Sequence, residues 1–500
     1  MRYKNFFKIK NIKRIFISHP KYIILFITTC ISLVYFSWGI NSWKFSFVGD
    51  EWSSYTFAKE YSEKNFLINP FSFNGVFHEH SVLASLYQAI LLKILGYSNF
   101  AWKLSNILLI IPITIFFYMW IKKTFGVRVA LVSTVILQSS FYLSNYFKNG
   151  TIQPECLTLF IISLYLASTC ITNPTRKNLM LLGLTLGVSF YIYLGPLFVL
   201  ILSPYFLYIL QRSYKKRKLK FTLISLFLPY LLLLLPLLFT LNEVGGPLHK
   251  TVAAREYHNN FQILINIFHN FLLFYKNYDY LYNHFVAGPY LDLATRILAF
   301  IGTIIVILNA RKKEYLFLLL IYVLTCVIIG ATSPYSYAPT NRGLFFLPFG
   351  FVFAGIALGR IMKIFSLRIA FLIIPLIFII NVYQSQIGVF KEAGYTGTGL
   401  IIKSLQDAKE NNPERKIVLL LSDYNTYYNY QQIYTMQQAY GLKSIKFEVI
   451  KSSQFQCNLL KEADVLIFDN DLEAKNAISY LVCPLHYNLS IKTLIPSIYL

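Results

Sequence analysis

Carboxylates are scarce in this chain: 22 Asp and Glu stand against 46 Lys and Arg among 500 residues, for a formal charge of +24. Charge of either sign is scarce too, at 14% of residues against 56% hydrophobic, a balance that excludes a soluble domain and indicates an integral membrane protein. The basic excess does not indicate a nucleic-acid partner. It sits in short clusters between apolar runs of about 17 to 22 residues, the length that spans hydrocarbon, so it reports topology. Cysteine shows no metal-ligand or redox spacing, and Cys30, Cys156, Cys170 and Cys326 fall inside apolar runs as small buried residues. A removable signal peptide is missing as well. The stretch "MRYKNFFKIKNIKRIF" is too long and basic for one, and the run after it lacks a small-residue cleavage site, so residues 21–40 read as a retained first span.

The composition predicts an all-α polytopic membrane protein. Ten further spans are expected near residues 100–121, 129–147, 153–171, 179–193, 196–210, 221–241, 291–309, 315–332, 343–359 and 369–383, about eleven in all. The N-terminal arm, Lys122/Lys123/Arg128, Arg176/Lys177, "RSYKKRKLK" from Arg212, Arg311/Lys312/Lys313 and Arg360/Lys363/Arg368 then share one face, which is cytoplasmic by the positive-inside rule. The opposite face receives residues 41–99, residues 242–290, the loop "SPYSYAPTNR" and everything after about residue 385. This divides the chain into a transmembrane domain, 1–385, and a small extracytoplasmic α/β domain, 386–500, in which runs such as "KIVLLL" and "DVLIFDN" alternate with helical patterns. Cys457 and Cys483 lie there, facing an oxidising compartment, and a disulfide between them is left open.

The first acids of the chain come in "FVGDEWSSY", where Asp50 and Glu51 adjoin Trp52 and Tyr55. Two stretches of this external segment carry helical periodicity and predict interfacial helices. They are "DEWSSYTFAKEYSEK" and "EHSVLASLYQAILLKILG", the latter with a stripe of Leu83, Leu86, Tyr87, Ile90, Leu91 and Ile94 interrupted by Ser85, Gln88 and Lys93. Charges within the spans collect at one depth: Lys103, Lys148, Glu155, Arg296 and Arg342 all stand at outer ends. None lies near a midplane, which counts against an ion-coupled transporter. Each has an ordinary structural reading beside the functional one. Asp50 suits an N-cap, Glu155 after Pro154 suits a first helical turn, and Arg342 and Lys103 suit interface anchors. His78 and His80, two residues apart with only Glu79 nearby, make a weak metal pair, and local packing or a contact to a sugar fits His80 better.

These residues resemble the membrane glycosyltransferases of the C superfamily, in particular the branch with protein O-mannosyltransferases and lipid A aminoarabinose transferases. "GDEWSSY" is similar to the Asp-Glu motif of the family's first external loop. "HEHSVLASLYQAILLKILGYSNFAWKLSN" is similar to its following helix and span start, and "NRGLFFLPFGFVFAGIALG" to its late Arg-containing span. Ser81 and Val82 replace the prolines often found after the histidine, and Lys148 and Glu155 stand where relatives often have an arginine and a second acid. The resemblance implies transfer of a sugar from a polyprenyl-phosphate donor to an acceptor hydroxyl of a lipid, glycan or protein on the outer face of the cytoplasmic membrane. In it Asp50 is the general base, Glu51 orients a partner or the sugar, and Arg342 binds the donor phosphate, with Lys148 or Lys103 as second choices. His80, Glu155, Tyr55, Arg296 and Tyr337 are the remaining substrate-binding candidates. No cofactor is implied, and the sequence does not support a divalent metal. A flippase or transporter of lipid-linked saccharides, and a polymerase or ligase using pyrophosphate-linked donors, remain as alternatives.

Overall fold

The computed structural model describes residues 20–41, 51–67, 69, 71–74, 80–192, 195–215, 217–240, 260–275, 289–332, 340–365 and 367–384, and beyond them 405–407, 410, 416–421, 438–441, 447–451, 463–468 and 490–493. Up to residue 384 these are mostly helical. The order is α1 (Pro20–Ser37), α2 (Glu51–Glu63), a ribbon of β1 (Phe73–Asn74) and β2 (His80–Ser81), α3 (Val82–Leu95), α4 (Asn99–Leu108), α5 (Ile110–Phe125), α6 (Val127–Ser139), α7 (Phe141–Phe147) and α8 (Gln153–Thr172). Then follow α9 (Arg176–Ser189), α10 (Leu197–Ile201), α11 (Ser203–Lys215), α12 (Leu219–Thr240), α13 (Asn260–Phe271), α14 (Leu293–Leu308), α15 (Lys313–Thr332), α16 (Thr340–Gly343), α17 (Leu347–Phe365) and α18 (Leu367–Gln384). Four strands come last: β3 (Lys416–Leu421), β4 (Phe447–Lys451), β5 (Ala463–Phe468) and β6 (Ser490–Thr493). They form a parallel sheet of order β4-β3-β5-β6.

Among the described residues four helical stretches are long and apolar enough to cross a membrane: Asn99–Phe125, Gln153–Thr172, Leu219–Leu237 and Lys313–Thr332. Shorter apolar helices cover Tyr22–Ser37, Leu83–Leu95, Leu293–Leu308 and Ile373–Tyr383. The expected single span at 129–147 is instead two helices, α6 and α7, bent by 54° at Ser140. Ser140 leaves helical geometry (ψ 118°) and its hydroxyl caps the next helix by accepting from Leu143 N. Three polar residues, Gln138, Ser139 and Ser140, mark this point in the sequence. Residues 196–210 likewise divide at Leu202 into α10 and α11.

Just before the break a polar knot ties three helices together. Gln138 donates to Thr29 Oγ1 of α1 at 2.8 Å and to Thr114 Oγ1 of α5 at 3.1 Å, and its carbonyl accepts from Ser32. In hydrocarbon such bonds replace the apolar attraction that lipid offers equally to every helix. Helix α3 also turns polar side chains inward. Ile90 and Ile94 are exposed, while Ser85 and Gln88 are fully buried together with Ala89 and Leu92.

Candidate active site

Three helices, α2, α3 and α4, meet on the short segment between α7 and α8. Glu51, the first residue of α2, sits there as a buried acceptor: its Oε1 takes bonds from Trp102 Nε1 at 2.8 Å and Gly150 N at 2.7 Å, and from Lys103 Nζ in an ion pair whose two side chains are both fully buried. Asn106, one helical turn beyond Lys103, donates to the carbonyls of Asn149 (2.7 Å) and Thr151 (2.8 Å). Gln88 of α3 reaches Gly150 O at 3.3 Å and Asn106 Oδ1 at 3.1 Å. The main chain of residues 149–151 is thus held by side chains of α2, α3 and α4. Tyr55, one turn along α2 from Glu51, packs edge-on against Trp102 with ring centroids 5.5 Å apart.

The clamp closes only because residue 150 has no side chain. A Cβ there would lie 1.8 Å from Trp102 Nε1 and 2.4 Å from Glu51 Oε1. We therefore expect Gly150→Ala to displace the indole and weaken the Glu51 bonds, lowering stability by about 1 to 3 kcal/mol, the range for overpacking a filled site. Thermal unfolding in detergent measures this, and an unchanged midpoint would refute the clamp.

Held in this way, the segment carries two charged side chains out of water. Lys148 is fully buried, and burial pushes its ammonium down to about 7. Glu155, in the first turn of α8, is 6% exposed. Burial, and after it the charge of Glu155, raises the Tyr87 phenol, which places that carboxylate within electrostatic reach of α3. Polar atoms cluster here without partners among the described residues: Asn149 Nδ2, Thr151 Oγ1, Gln153 Oε1 and Glu155 Oε1 on the segment, and Gln88 Oε1 on the facing helix. Buried polar groups are ordinarily satisfied, so five in one place mark where a polar ligand or ordered water belongs.

A second group of residues adjoins α7. Tyr142 stacks on Tyr290 with centroids 4.4 Å apart, and Gly343 lies against the same Tyr290, where a Cβ would come within 2.3 Å of the ring. Gly343 follows Arg342, which is buried to 6% exposure and donates to the carbonyl of Thr332 at the end of α15. Through the two rings, Arg342 and the helix that ends at Lys148 belong to one packed unit. Arg296 turns elsewhere, its guanidinium donating to the carbonyls of Tyr275 (3.5 Å) and Leu291 (3.3 Å). Asp50, Tyr337, Cys457, Cys483 and the side chain of His80 lie outside the described residues, so no position is assigned to them.

The structure therefore pairs Glu51 with Lys103 and packs Tyr55 on Trp102, with Lys148 and Glu155 on the segment that carries the glycine bonded to Glu51. Four participants in this arrangement had no role in the sequence reading: Trp102, Gly150, Gln88 and Asn106. The pairing of Glu51 with Lys103, 52 positions apart, leaves no trace in periodicity. Gln88 was visible only as an interruption of an apolar stripe. Among the described residues no group of three His, Cys, Asp or Glu side chains could hold a metal ion.

With this geometry in view, comparison with known proteins is informative. Residues 79–239, which include α3, Trp102, Lys103, Gly150 and the segment 148–155 but not Glu51, match the family described as dolichyl-phosphate-mannose-protein mannosyltransferase. Among solved structures, ArnT from Cupriavidus metallidurans in the apo state has a TM-score of 0.52 at 12% identity, with 93% of this chain and 88% of that chain covered. ArnT bound to undecaprenyl phosphate gives 0.50 at 11% identity, covering 84% and 89%. The Archaeoglobus fulgidus oligosaccharyltransferase tethered with an acceptor peptide gives 0.49 at 12% identity, covering 87% and 64%. No curated protein matches the sequence. The family match indicates glycosyltransferase activity. In a segment of its sequence and in its fold, the chain resembles the membrane glycosyltransferases of the C superfamily.

Proposed function

We propose that this protein transfers a sugar from a polyprenyl-phosphate donor to an acceptor hydroxyl on the outer face of the cytoplasmic membrane, in a single inverting displacement. The observation that carries this reading is the buried segment 148–155, where a lysine and a carboxylate accompany polar atoms that have no partner among the described residues, beside the residue that follows Asp50. A polyhydroxylated ring bearing a phosphate is the chemistry such a set matches. Three of the unpartnered atoms, Gln88 Oε1, Gln153 Oε1 and Glu155 Oε1, only accept when the acid is ionised, so the ligand is rich in hydroxyl donors.

In this reading Arg342 and Lys148 hold the donor phosphate, while Lys103 is engaged by Glu51. Asp50 accepts the proton of the acceptor hydroxyl as its oxygen attacks the anomeric carbon. The bond from that carbon to the phosphate oxygen breaks, and polyprenyl phosphate leaves as a stable anion. Such a leaving group requires cations more than a general acid, which distinguishes the site from the paired carboxylates of glycoside hydrolysis. The N-terminus is cytoplasmic, about eleven helices span, and residues 386–500 form an extracytoplasmic α/β domain. The bond from Lys59 of α2 to Gln438, at 2.7 Å, supports placing that domain on the same side as the first external segment.

Ligand-dependent stability tests the donor class. At a concentration about 100-fold above Kd, a ligand of the native state adds about 2.7 kcal/mol. Undecaprenyl phosphate is expected to raise the midpoint of thermal unfolding, and Lys148→Gln and Arg342→Gln each to weaken the effect. Protection by the pyrophosphate alone would assign the protein to the polymerase or ligase class. Translocation of a lipid-linked saccharide with no glycosidic bond formed would make it a flippase.

A further inference from the structure

The bend between α6 and α7 is held by a device remote from the proposed chemistry. At a helix start the first backbone N–H groups have no partner within the helix, and Phe141 N is one of these. Its partner is Asn381 Oδ1 of α18, at 3.0 Å. The amide of Asn381 in turn donates through Nδ2 to Asp292 Oδ2 at 2.9 Å, and to Ile377 O at 2.8 Å. The other oxygen of Asp292 accepts from Thr295 N at 2.9 Å, capping α14. The main-chain carbonyl of Asn381 accepts from the hydroxyl of Tyr35 on α1 at 3.2 Å. Asp292 and Asn381 are 2% and 1% exposed. Four helices distant in sequence therefore converge on one buried amide, and the group it grips is the N–H at which the polypeptide changes direction by 54°.

We infer that Asp292 and Asn381 are positioning residues: they fix the direction of α7 and so place Lys148 at its end, the cation which the proposed function assigns to the donor phosphate. The role in donor binding rests on that assignment. The bend itself does not. The argument is one of polarity. Phe141 N needs an acceptor and Thr295 N needs an acceptor, so the two side chains between them must present one oxygen at each end and a donor–acceptor pair in the middle. An Asn381 amide facing an Asp292 carboxylate satisfies all three contacts. Asp292→Asn leaves one side-chain oxygen for two donors, Thr295 N and Asn381 Nδ2. Asn381→Asp sets two carboxylates against each other with no proton between them. The exchanged pair, Asp292→Asn together with Asn381→Asp, restores the contacts of Phe141 N, Thr295 N and the two side chains with the same net charge, and its one cost is that a carboxylate oxygen replaces the donor that faced Ile377 O.

The test uses the full chain in detergent micelles. Amide hydrogen exchange of residues 141–147 reads the bend, and the Kd of undecaprenyl phosphate reads its consequence. Each single variant is expected to speed exchange in this segment and to weaken binding about 10- to 100-fold, the scale of a 1 Å misplacement. The exchanged pair is expected to return both readouts to within about threefold of the parent, the range of context dependence for a restored contact. A variant that fails to fold alone leaves the exchanged pair as the deciding measurement. An exchanged pair as impaired as the single variants would overturn the inference, as would single variants that leave exchange in 141–147 unchanged. If exchange follows the expected pattern but Lys148→Gln leaves the Kd unaltered, the bend device stands and the phosphate role of Lys148 falls.

Discussion

Asp50→Asn is expected to reduce transfer by about 10² to 10⁴, the contribution of a general base, while leaving the affinity for undecaprenyl phosphate and the unfolding midpoint unchanged. The substitution keeps the size of the side chain and removes its basicity. An amide oxygen at this position can still cap the helix that begins at Glu51, because Asn and Asp are equivalent N-cap residues. The variant thus separates the two readings of this position: a cap survives the exchange, whereas a base does not. The assay is transfer of labelled sugar from a polyprenyl-phosphate donor in membranes, and full retained activity would eliminate Asp50 as the base.

Glu51→Gln, one residue along the chain, is expected to act through stability. The glutamine oxygen can still accept from Gly150 N or Trp102 Nε1, but the buried ammonium of Lys103 loses the Glu51 carboxylate from its surroundings. Removing one partner of a buried ion pair costs about 3 to 5 kcal/mol, whereas replacing both by neutral groups of similar volume is often tolerated. The double variant Glu51→Gln/Lys103→Met should therefore recover most of the lost stability, as read by thermal unfolding in detergent. Its activity then decides what the pair does. Recovered transfer would confine Glu51 and Lys103 to holding the segment 148–155. Recovered folding without transfer would place one of them on the substrate.

Much of the helical framework was legible because hydropathy and basic clusters respond directly to the bilayer, as at Gln153–Thr172 and Lys313–Thr332. The position of Lys103, Lys148, Glu155 and Arg342 at the ends of apolar runs was equally visible, since a charge in a span is costly and conspicuous. Three features were hidden for identifiable reasons. The break at Ser140 follows a polar triplet that also suits a span interior facing other helices, and it depends on an acceptor from residue 381. The clamp on Gly150 joins residues from positions 51, 88, 102, 103 and 106, a combination that no local pattern encodes. The direction of α3 was ambiguous because a stripe of leucines and isoleucines fits either a protein core or lipid, and only the burial of Gln88 decides between them.

The amide of Gln138 bears on biogenesis. α1 enters the bilayer long before residue 138 has been synthesised, and in hydrocarbon no apolar preference keeps a lone segment near its eventual neighbours. Thr29 and Ser32 give this segment a polar address that α6 answers when it arrives, with Thr114 as the third party. This polar tie forms only about a hundred residues downstream, so a ribosome-bound chain halted before Gln138 should hold α1 through its contacts with residues 99–122 alone, such as Tyr22 on Tyr118 and, just beyond its end, Asn99 on Ile40 O.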